Sequence, residues 1–375
     1  MAKDKYLIIY KGIARWKLNN PIENWLSYRA DKSELWKYIY VLYYQLFDRK
    51  YYQAGLKLIE NQLKVYEKEW KGISRNYVIR DMVYSLHRFG ADFQDYWNYN
   101  FLNLSAIGRE RYVVDKLRYG YDVILSTPEI ERLVSDKYLC YQKFQQYYKR
   151  DILGCYNIND IKSFISFMQK HHAAIYKPLN LDCGRGVKKI SLSVHEVEDF
   201  FHQHIKVGPF VIEEAIEQSA EMAQLHPQSV NTVRIMTFML KGEIKIIASS
   251  LRMGVGDSIA DNAGSGGIFS SIDPESGIVI SKARNYRGDK YIKHPDTNVI
   301  IPGFKIPLWN DLLEVVKSAA FELQSATLLS WDFALSRHGW VIVEVNTGGD
   351  WIILQAAQNE PLKKKLYEFI DELNR

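Results

Sequence analysis

The sequence predicts an α+β protein in which a helical N-terminal module precedes a mixed region of strands and helices. Apolar residues recur at helical spacing up to about residue 125. Beyond that point, short β-prone runs alternate with helical segments, and two such runs near the C-terminus are joined by a short turn. A chain of 375 residues is long enough for two or three domains. We expect domains at residues 1–125, 126–212 and 213–375.

The N-terminal module is predicted from four stretches with apolar residues on one helical face. They are residues 33–47, 52–70, 81–89 and the run from Ser105. None of them shows the strand, glycine-rich loop and helix that open a nucleotide-binding α/β fold. We therefore expect a helical N-terminal module.

Composition and cysteine usage bound the class of protein. The chain is 47% hydrophobic and 25% charged, as is usual for a soluble globular protein. No window approaches the ~20 apolar residues that span a bilayer, and the first residues lack a signal-peptide cleavage site. Cys140, Cys155 and Cys183 are odd in number and lack metal-binding spacing. We therefore expect reduced thiols, a cytoplasmic protein and no membrane span.

Positive charge is concentrated in the front half. Residues 1–150 carry 26 Lys and Arg against 17 Asp and Glu, whereas the remainder carries 23 against 27. This part is also rich in tyrosine, which suits a polysaccharide, a nucleotide-sugar or an anionic membrane surface as partner. Arg109 and Arg111 are candidate anion-binding residues. A well-solvated helical surface explains the same charges, and we expect no nucleic-acid partner.

A strand over residues 173–178 follows a helix over 160–169 and places Lys177 near its end. Gly184 and Gly186 then flank Arg185, and a Gly-x-Gly turn allows backbone N–H groups to approach an anion closely. A plain hairpin turn has the same composition. The Gly-Lys-Ser/Thr ending and the following helix of a Walker A loop are both missing.

The middle of the chain predicts two paired strands and a glycine-rich loop. Strands over 233–240 and 244–251 are joined by a turn, and they place Arg234 and Arg252 so that both guanidinium groups can face one cleft. A loop with several glycines follows, containing Asp261, Asn262, Gly266 and Gly267. The alternative is an ordinary meander with surface arginines and a flexible loop.

The C-terminal hairpin is the strongest candidate for a metal site. Its strands cover residues 331–335 and 340–345. Side chains alternate faces along a strand, so Glu344 and Asn346 point to the same side, and Asp332 on the partner strand can face them. Carboxylate and amide oxygens together favour Mg²⁺. The alternative is an edge hairpin whose acidic residues are only solvated.

The hairpin resembles the metal-binding hairpin of ATP-grasp enzymes, with eleven residues between Asp332 and Glu344 and Asn346 two further on. The motifs LSWDFAL, VIVEVNTGGDW, NTVRI, LRMG and ADN resemble motifs of the sugar-transfer-associated ATP-grasp family, and the resemblance covers roughly residues 130–360. The resemblance implies the ATP-grasp fold, in which two α+β subdomains grip ATP, and it implies ATP and Mg²⁺ as cofactors.

The same resemblance implies roles for individual residues. Lys137 and Lys177 would contact the α- and β-phosphates, and a flap of Gly184, Arg185 and Gly186 would close over the triphosphate. After a strand at residues 210–212, Glu214 and Ile216 would offer backbone contacts to adenine, with Glu213 on the adenine side and Gln218 or Glu221 near the ribose. Asp332, Glu344 and Asn346 would hold Mg²⁺, and Arg234 and Arg252 would stabilise the transferred phosphoryl group. Substrate would meet the loop residues Asp261, Asn262, Gly266 and Gly267.

The implied activity is a carboxylate–amine ligase that acts through an acyl-phosphate. The family name and the basic front half suggest that it joins an amino acid or amine to a sugar carboxylate, such as a uronic acid, in surface polysaccharide or capsule biosynthesis. A nucleotide-sugar or a polysaccharide would then be its partner. Two alternatives stay open: an ATP-grasp kinase that phosphorylates a hydroxyl, and a non-catalytic nucleotide-binding module, which the intact Asp, Glu and Asn set disfavours.

Overall fold

A computed structural model describes residues 21–47, 49–171, 173–179 and 185–375. The chain divides into two compact units, and the predicted α+β class with N-terminal helices is confirmed. The first unit contains the helices up to residue 125 together with residues 286–290 and 350–375. The second contains residues 126–285 and 291–349. No helix in the described ranges has the length and apolar character needed to cross a membrane.

The first unit is helical where the apolar spacing predicts helices. Its buried side chains include many aromatic rings, such as those of Tyr40, Tyr84, Tyr96 and Phe101, which pack edge to face. Its helices before residue 126 are Pro21–Ala30 (α1), Glu34–Phe47 (α2), Arg49–Val65 (α3), Glu67–Trp70 (α4), Arg75–Phe89 (α5), Phe93–Asn98 (α6), Ala106–Arg109 (α7) and Asp115–Leu125 (α8).

A buried carboxylate, Asp81, lies at the centre of this unit and corrects one expectation. Arg109 binds it with two nitrogens, at 3.1 and 2.7 Å, and Lys37 approaches it at 2.9 Å. Arg109 is only 3% exposed. The prediction that Arg109 binds an external anion is therefore wrong, because its guanidinium neutralises Asp81. Arg111, two residues further along the chain, is exposed.

The second unit contains two sheets. The strands are Ile152–Cys155 (β1), Ala174–Pro178 (β2), Lys188–Ile190 (β3), Phe210–Glu214 (β4), Thr232–Leu240 (β5), Glu243–Met253 (β6), Ile268–Ile272 (β7), Ala283–Arg284 (β8), Lys290–Tyr291 (β9), Leu328–Ser336 (β10) and Gly339–Asn346 (β11). The helices are Pro128–Ser135 (α9), Lys137–Tyr148 (α10), Ile161–Lys170 (α11), Val197–Ile205 (α12), Ala220–Ala223 (α13) and Trp309–Phe321 (α14).

The smaller sheet has the strand order β1-β4-β2-β3. The pairs β1–β4, β2–β4 and β2–β3 are all antiparallel. Helices α11 and α12 cover it, and Phe164 and Phe201 of these helices bury their rings with Phe210 of β4. Burial of aromatic rings between helix and sheet holds this part together.

The larger sheet has the strand order β11-β10-β5-β6-β7-β8-β9. One face is apolar and packs against α14, with Ile235, Leu251 and Trp331 in a common core with Val316 of that helix. Helix α10 also packs here, since the Phe144 ring lies 5.3 Å from that of Trp331. Side chains alternate along a strand, so the residues between these apolar positions point to the opposite face.

The predicted C-terminal hairpin is present as β10 and β11, and Asp332 lies directly opposite Glu344. The last two helices are Trp351–Gln355 (α15) and Lys363–Leu373 (α16). They belong to the first unit, whereas the predicted third domain extends to residue 375. The proposed limit between residues 212 and 213 falls inside β4. The division into 126–212 and 213–375 stays a prediction.

Candidate active site

The face of the larger sheet opposite the apolar core is polar. Directly paired residues on neighbouring strands share a face, which aligns Glu344, Asp332, Arg234, Ser250 and Ser271 in one row. A second row contains Thr232, Arg252, Phe269 and Arg284, and a third contains Asn346 and Ser330. The structure therefore brings both candidate arginines and all three candidate metal ligands to one surface.

Asp332 is at the centre of this surface and is 2% exposed. Its Oδ1 accepts from Arg234 Nε at 2.7 Å, and its Oδ2 accepts from Arg234 Nη2 at 2.7 Å and from Arg252 Nη1 at 2.6 Å. Burial alone would raise the pKa of Asp332, but the two guanidinium groups lower it to about 2. The carboxylate is therefore ionised and holds both arginines in fixed positions.

Asp261 fixes Arg252 from the other side. Its Oδ1 lies 3.1 Å from Arg252 Nη2, and its Oδ2 accepts from the backbone nitrogen and hydroxyl of Thr232. Burial raises the pKa of Asp261, and Arg252 offsets part of that rise. Asp261 is thus bonded within the protein, and the structure places it as a support for Arg252 in the loop predicted to meet substrate.

The glycine-rich loop after Asp261 is tightly folded. Asn262 caps a short 3₁₀ turn, Ala263–Ser265, through its side-chain oxygen to Gly264 N at 2.9 Å. Gly266 has a φ of +100°, and a Cβ on Gly267 would lie 2.6 Å from the carbonyl oxygen of Asp261. Both positions therefore require glycine, and the backbone of the loop is set by local geometry.

Glu344 is more open than Asp332, with 42% of its side chain exposed. A cation, Lys137, lies beside it, with its Nζ 3.9 Å from Glu344 Oε1. Lys137 is the first residue of α10, which Asp136 caps by accepting from two backbone nitrogens. One pocket collects these groups and is lined by Val134, Lys137, Cys140, Tyr148, Lys177, Glu213, Val343, Glu344 and Val345.

Lys177 enters the same pocket from β2 and contacts Glu213 of β4. Lys177 Nζ lies 2.8 Å from Glu213 Oε1, and Arg150 Nη2 lies 2.8 Å from Glu213 Oε2. Burial would raise the pKa of Glu213, but Lys177 and Arg150 lower it. The two predicted phosphate-binding lysines therefore lie in one pocket, each beside a carboxylate.

The segment after β4 was predicted to contact the nucleoside. Glu214 and Ile216 line a second pocket together with Arg150 and Val341. Gln218 is held internally, because its amide donates to the Ser229 carbonyl at 3.1 Å and accepts from the Asn231 backbone nitrogen at 2.6 Å. These bonds leave Gln218 poorly placed for a ribose. Glu221 is exposed in the first turn of α13.

The predicted flap is described only in part. Gly184 and Cys183 lie outside the described residues. Arg185 and Gly186 are exposed in a turn before β3, and Gly186 has a φ of +75°. That φ is the left-handed conformation that glycine adopts readily.

The donor set of the polar face fits a divalent cation in part. Glu344 offers a half-exposed carboxylate, and Asn346 an amide oxygen on the same side of β11. Three hydrogen bonds already engage the Asp332 oxygens, out of about four lone-pair sites on a carboxylate. Ser330, paired with Asn346, has a buried hydroxyl with no partner among the described residues. Glu344 and Asn346 are thus the more available ligands.

Sequence reasoning missed Arg150 and the three serines Ser250, Ser271 and Ser330. The serine hydroxyls are buried on the polar face and lack partners among the described residues. Alternation with apolar neighbours along β6, β7 and β10 could have indicated that these serines share a face with the arginines. Arg150 follows a helix end and precedes a strand, and no local pattern marks it.

A family model described as sugar-transfer associated ATP-grasp matches residues 127–371, more than half of the chain. Among solved structures, D-alanyl-alanine synthetase A from Vibrio cholerae O1 biovar eltor str. N16961 aligns at 10% identity and TM-score 0.44, over 69% of this chain and 73% of that one. The ATP-grasp ligase PsnB with minimal precursor, Mg and ADP aligns at 12% and 0.40, over 75% and 73%. D-alanine–D-alanine ligase from Helicobacter pylori aligns at 14% and 0.40, over 69% and 66%. No curated protein matches this chain.

Proposed function

Because the chain belongs to the sugar-transfer associated ATP-grasp family, we propose that it is an ATP-dependent ligase that joins a carboxylate to an amine through an acyl-phosphate. The observation that carries the proposal is the convergence of lysines and arginines around two acids. Lys137 and Lys177 share a pocket with Glu344, and Arg234 and Arg252 flank Asp332 in the adjoining rows of the sheet. This arrangement suits a reaction in which a triphosphate and a carboxylate must approach each other.

The reaction has two steps. A carboxylate oxygen of the acceptor attacks the γ-phosphorus, the bond from that phosphorus to the β–γ bridging oxygen breaks, and ADP leaves. The amine nitrogen then attacks the acyl carbon, phosphate leaves with the carbon–oxygen bond pair, and the nitrogen loses a proton. Positioning and fixed charge carry such a transfer, so the protein needs no nucleophile of its own.

The residues divide these tasks by position. Lys137 and Lys177 bind phosphate oxygens, and Arg234 and Arg252, held by Asp332, stabilise charge on the transferred phosphoryl group. Glu344 and Asn346 would hold Mg²⁺, and Asp332 would be the third ligand. When bound, Mg²⁺ neutralises phosphate charge and favours displacement at the γ-phosphorus. The segment of Glu214 and Ile216 would orient the nucleoside, and Arg185 and Gly186 of the turn before β3 would contact the phosphates.

For the acceptor we propose a sugar carboxylate, such as a uronic acid, and for the donor an amino acid or amine. The family's association with sugar transfer supports this choice. The loop of Asn262, Gly266 and Gly267 borders Arg252 and would meet the acceptor. Surface polysaccharide synthesis is the setting that follows.

Product analysis tests the function. The purified protein is incubated with Mg²⁺–ATP, a panel of uronic acids and a panel of amino acids, singly and in pairs. The proposal expects ADP and free phosphate only when a carboxylate and an amine are both present. Phosphate retained on a single acceptor would instead identify a kinase, and no turnover with any pair of the family's substrate class would favour a nucleotide-binding module.

Lys177→Ala and Arg252→Ala are expected to impair different steps. Lys177 meets phosphate charge in the ground state, so its loss should weaken nucleotide binding about tenfold or more with a smaller effect on turnover. Arg252 meets charge that develops during transfer, so its loss should mainly lower turnover. Nucleotide affinity and turnover are measured for both variants.

Arg252→Lys serves as a folding control for the second variant, because it keeps a positive charge between Asp332 and Asp261. The reverse pattern, with affinity lost in Arg252→Ala and turnover lost in Lys177→Ala, would show that the two roles are exchanged.

A further inference from the structure

Arg150 is a buried cation beside the nucleotide pocket, and the proposed function gives it no role. It precedes β1 and is 9% exposed. Taking the proposed nucleotide site as given, we infer that Arg150 is a positioning residue with two tasks. It keeps Glu213 neutralised while Lys177 binds a nucleotide phosphate, and it fixes the backbone of β11 just before Glu344.

The first task follows from how Glu213 is partnered. Each of its oxygens has one cation, Lys177 on Oε1 and Arg150 on Oε2, both at 2.8 Å. Glu213 is 4% exposed, so water cannot replace either partner easily. A buried carboxylate that loses all its partners is strongly unfavourable. At least one cation must therefore remain on Glu213 whatever Lys177 does.

A phosphate in this pocket competes with Glu213 for Lys177. The ammonium must then divide its charge between the buried carboxylate and the incoming anion. Arg150 makes this exchange favourable, because its guanidinium stays on Glu213 and is always charged. Without Arg150, Lys177 would be left to neutralise Glu213 and would be held back from the phosphate.

The second task follows from the other branch of the guanidinium. Arg150 Nη1 donates to the Ile342 carbonyl at 2.6 Å, and the guanidinium carbon lies 5.0 Å from the centre of the Tyr148 ring. The register of the hairpin shifts here, since Asp332 pairs with Glu344 but Phe333 pairs with Ile342. A bulge of this kind sets the direction of the following side chain, which is Glu344. Arg150 thus connects β4 with β11, the strand that carries a proposed metal ligand.

Three variants test the inference by calorimetric titration with ATP at several Mg²⁺ concentrations. Arg150→Met should raise the Kd for ATP about tenfold. Glu213→Gln combined with Arg150→Met should recover most of that affinity, because the buried negative charge is then gone. Arg150→Lys keeps one charge but lacks the two-branched fork. It should bind ATP within about threefold of wild type yet need about tenfold more Mg²⁺ for full affinity.

Arg132→Met on α9 is the matched control, because Arg132 is exposed. Its affinity for ATP should equal that of wild type. A merely structural role of Arg150 would lower the melting temperature but would not let Glu213→Gln restore affinity. The inference alone is overturned if wild type binds Mg²⁺–ATP while Arg150→Met binds it equally well, or while the double variant binds no more tightly than Arg150→Met. Failure of wild type to bind Mg²⁺–ATP would overturn the proposed function and this role together.

Discussion

Glu344→Gln should lose turnover by on the order of 100-fold or more while the protein stays folded. The amide keeps the shape of the side chain but removes the charge that would hold Mg²⁺. Loss of even a residue that only hydrogen-bonds a metal ligand lowers metal affinity or activity by roughly 10–100-fold. Folding should survive because the side chain is 42% exposed and Lys137 Nζ approaches it no closer than 3.9 Å. ADP release and thermal unfolding are measured on the same preparation.

Glu243→Gln is the control for this variant. Glu243 begins β6 of the same sheet, but its side chain is 70% exposed and pairs with Lys245 on the surface. It should leave turnover unchanged. Wild-type turnover in Glu344→Gln would exclude Glu344 as a metal ligand, and raised Mg²⁺ should restore part of the activity if Glu344 is one.

Asp332→Asn is expected to have the largest combined effect, on both stability and activity. The substitution leaves Arg234 and Arg252 buried without the carboxylate that both contact. Removing one partner from a buried ion pair costs about 3–5 kcal/mol in the free energy of unfolding. Turnover should fall as well, because the two guanidinium groups lose their fixed positions. Urea unfolding and ADP release are the measurements.

The pH dependence of stability gives a second view of Asp332. Its pKa is about 2 in the folded protein and lies below the ordinary value of 3.8. A lowered carboxyl pKa stabilises the fold above the unfolded value and ceases to do so as pH falls. Wild type should therefore lose stability between about pH 4 and 2 more steeply than Asp332→Asn. Parallel pH profiles for the two proteins would contradict the ionised, paired state of Asp332.

Asp257→Asn is the matched control for Asp332→Asn, because Asp257 is exposed in the loop after β6. Surface substitutions of this kind change the free energy of unfolding by no more than about 0.5 kcal/mol.

Much of the hairpin could be predicted because its signals are local. Alternating apolar residues define β10 and β11, and Gly339 at a φ of +87° closes the turn between them. From alternation alone, Glu344 and Asn346 must share a side. The turn length alone would place Val343 opposite Asp332, and a one-residue shift in register between Asp332 and Phe333 brings Glu344 there instead.

Residues whose partners are distant in sequence could not be assigned in this way. Asp332 is bonded to Arg234, which lies 98 positions away, and Arg150 is bonded to Glu213 and Ile342 at separations of 63 and 192. Helical spacing also could not show that Arg109 is buried against Asp81, 28 positions away. The helical pattern predicts Arg109 on the surface, but packing between helices buries it.

The fate of one oxygen atom tests whether the reaction proceeds through an acyl-phosphate. A carboxylate that supports ADP release is labelled with ¹⁸O and incubated with Mg²⁺–ATP and its amine partner, and the phosphate released is analysed by ³¹P NMR. An acyl-phosphate transfers one carboxylate oxygen to phosphate, so we expect one ¹⁸O atom in each phosphate formed from fully labelled carboxylate. Phosphate without label, or phosphate that stays bound to an acceptor hydroxyl, would contradict it.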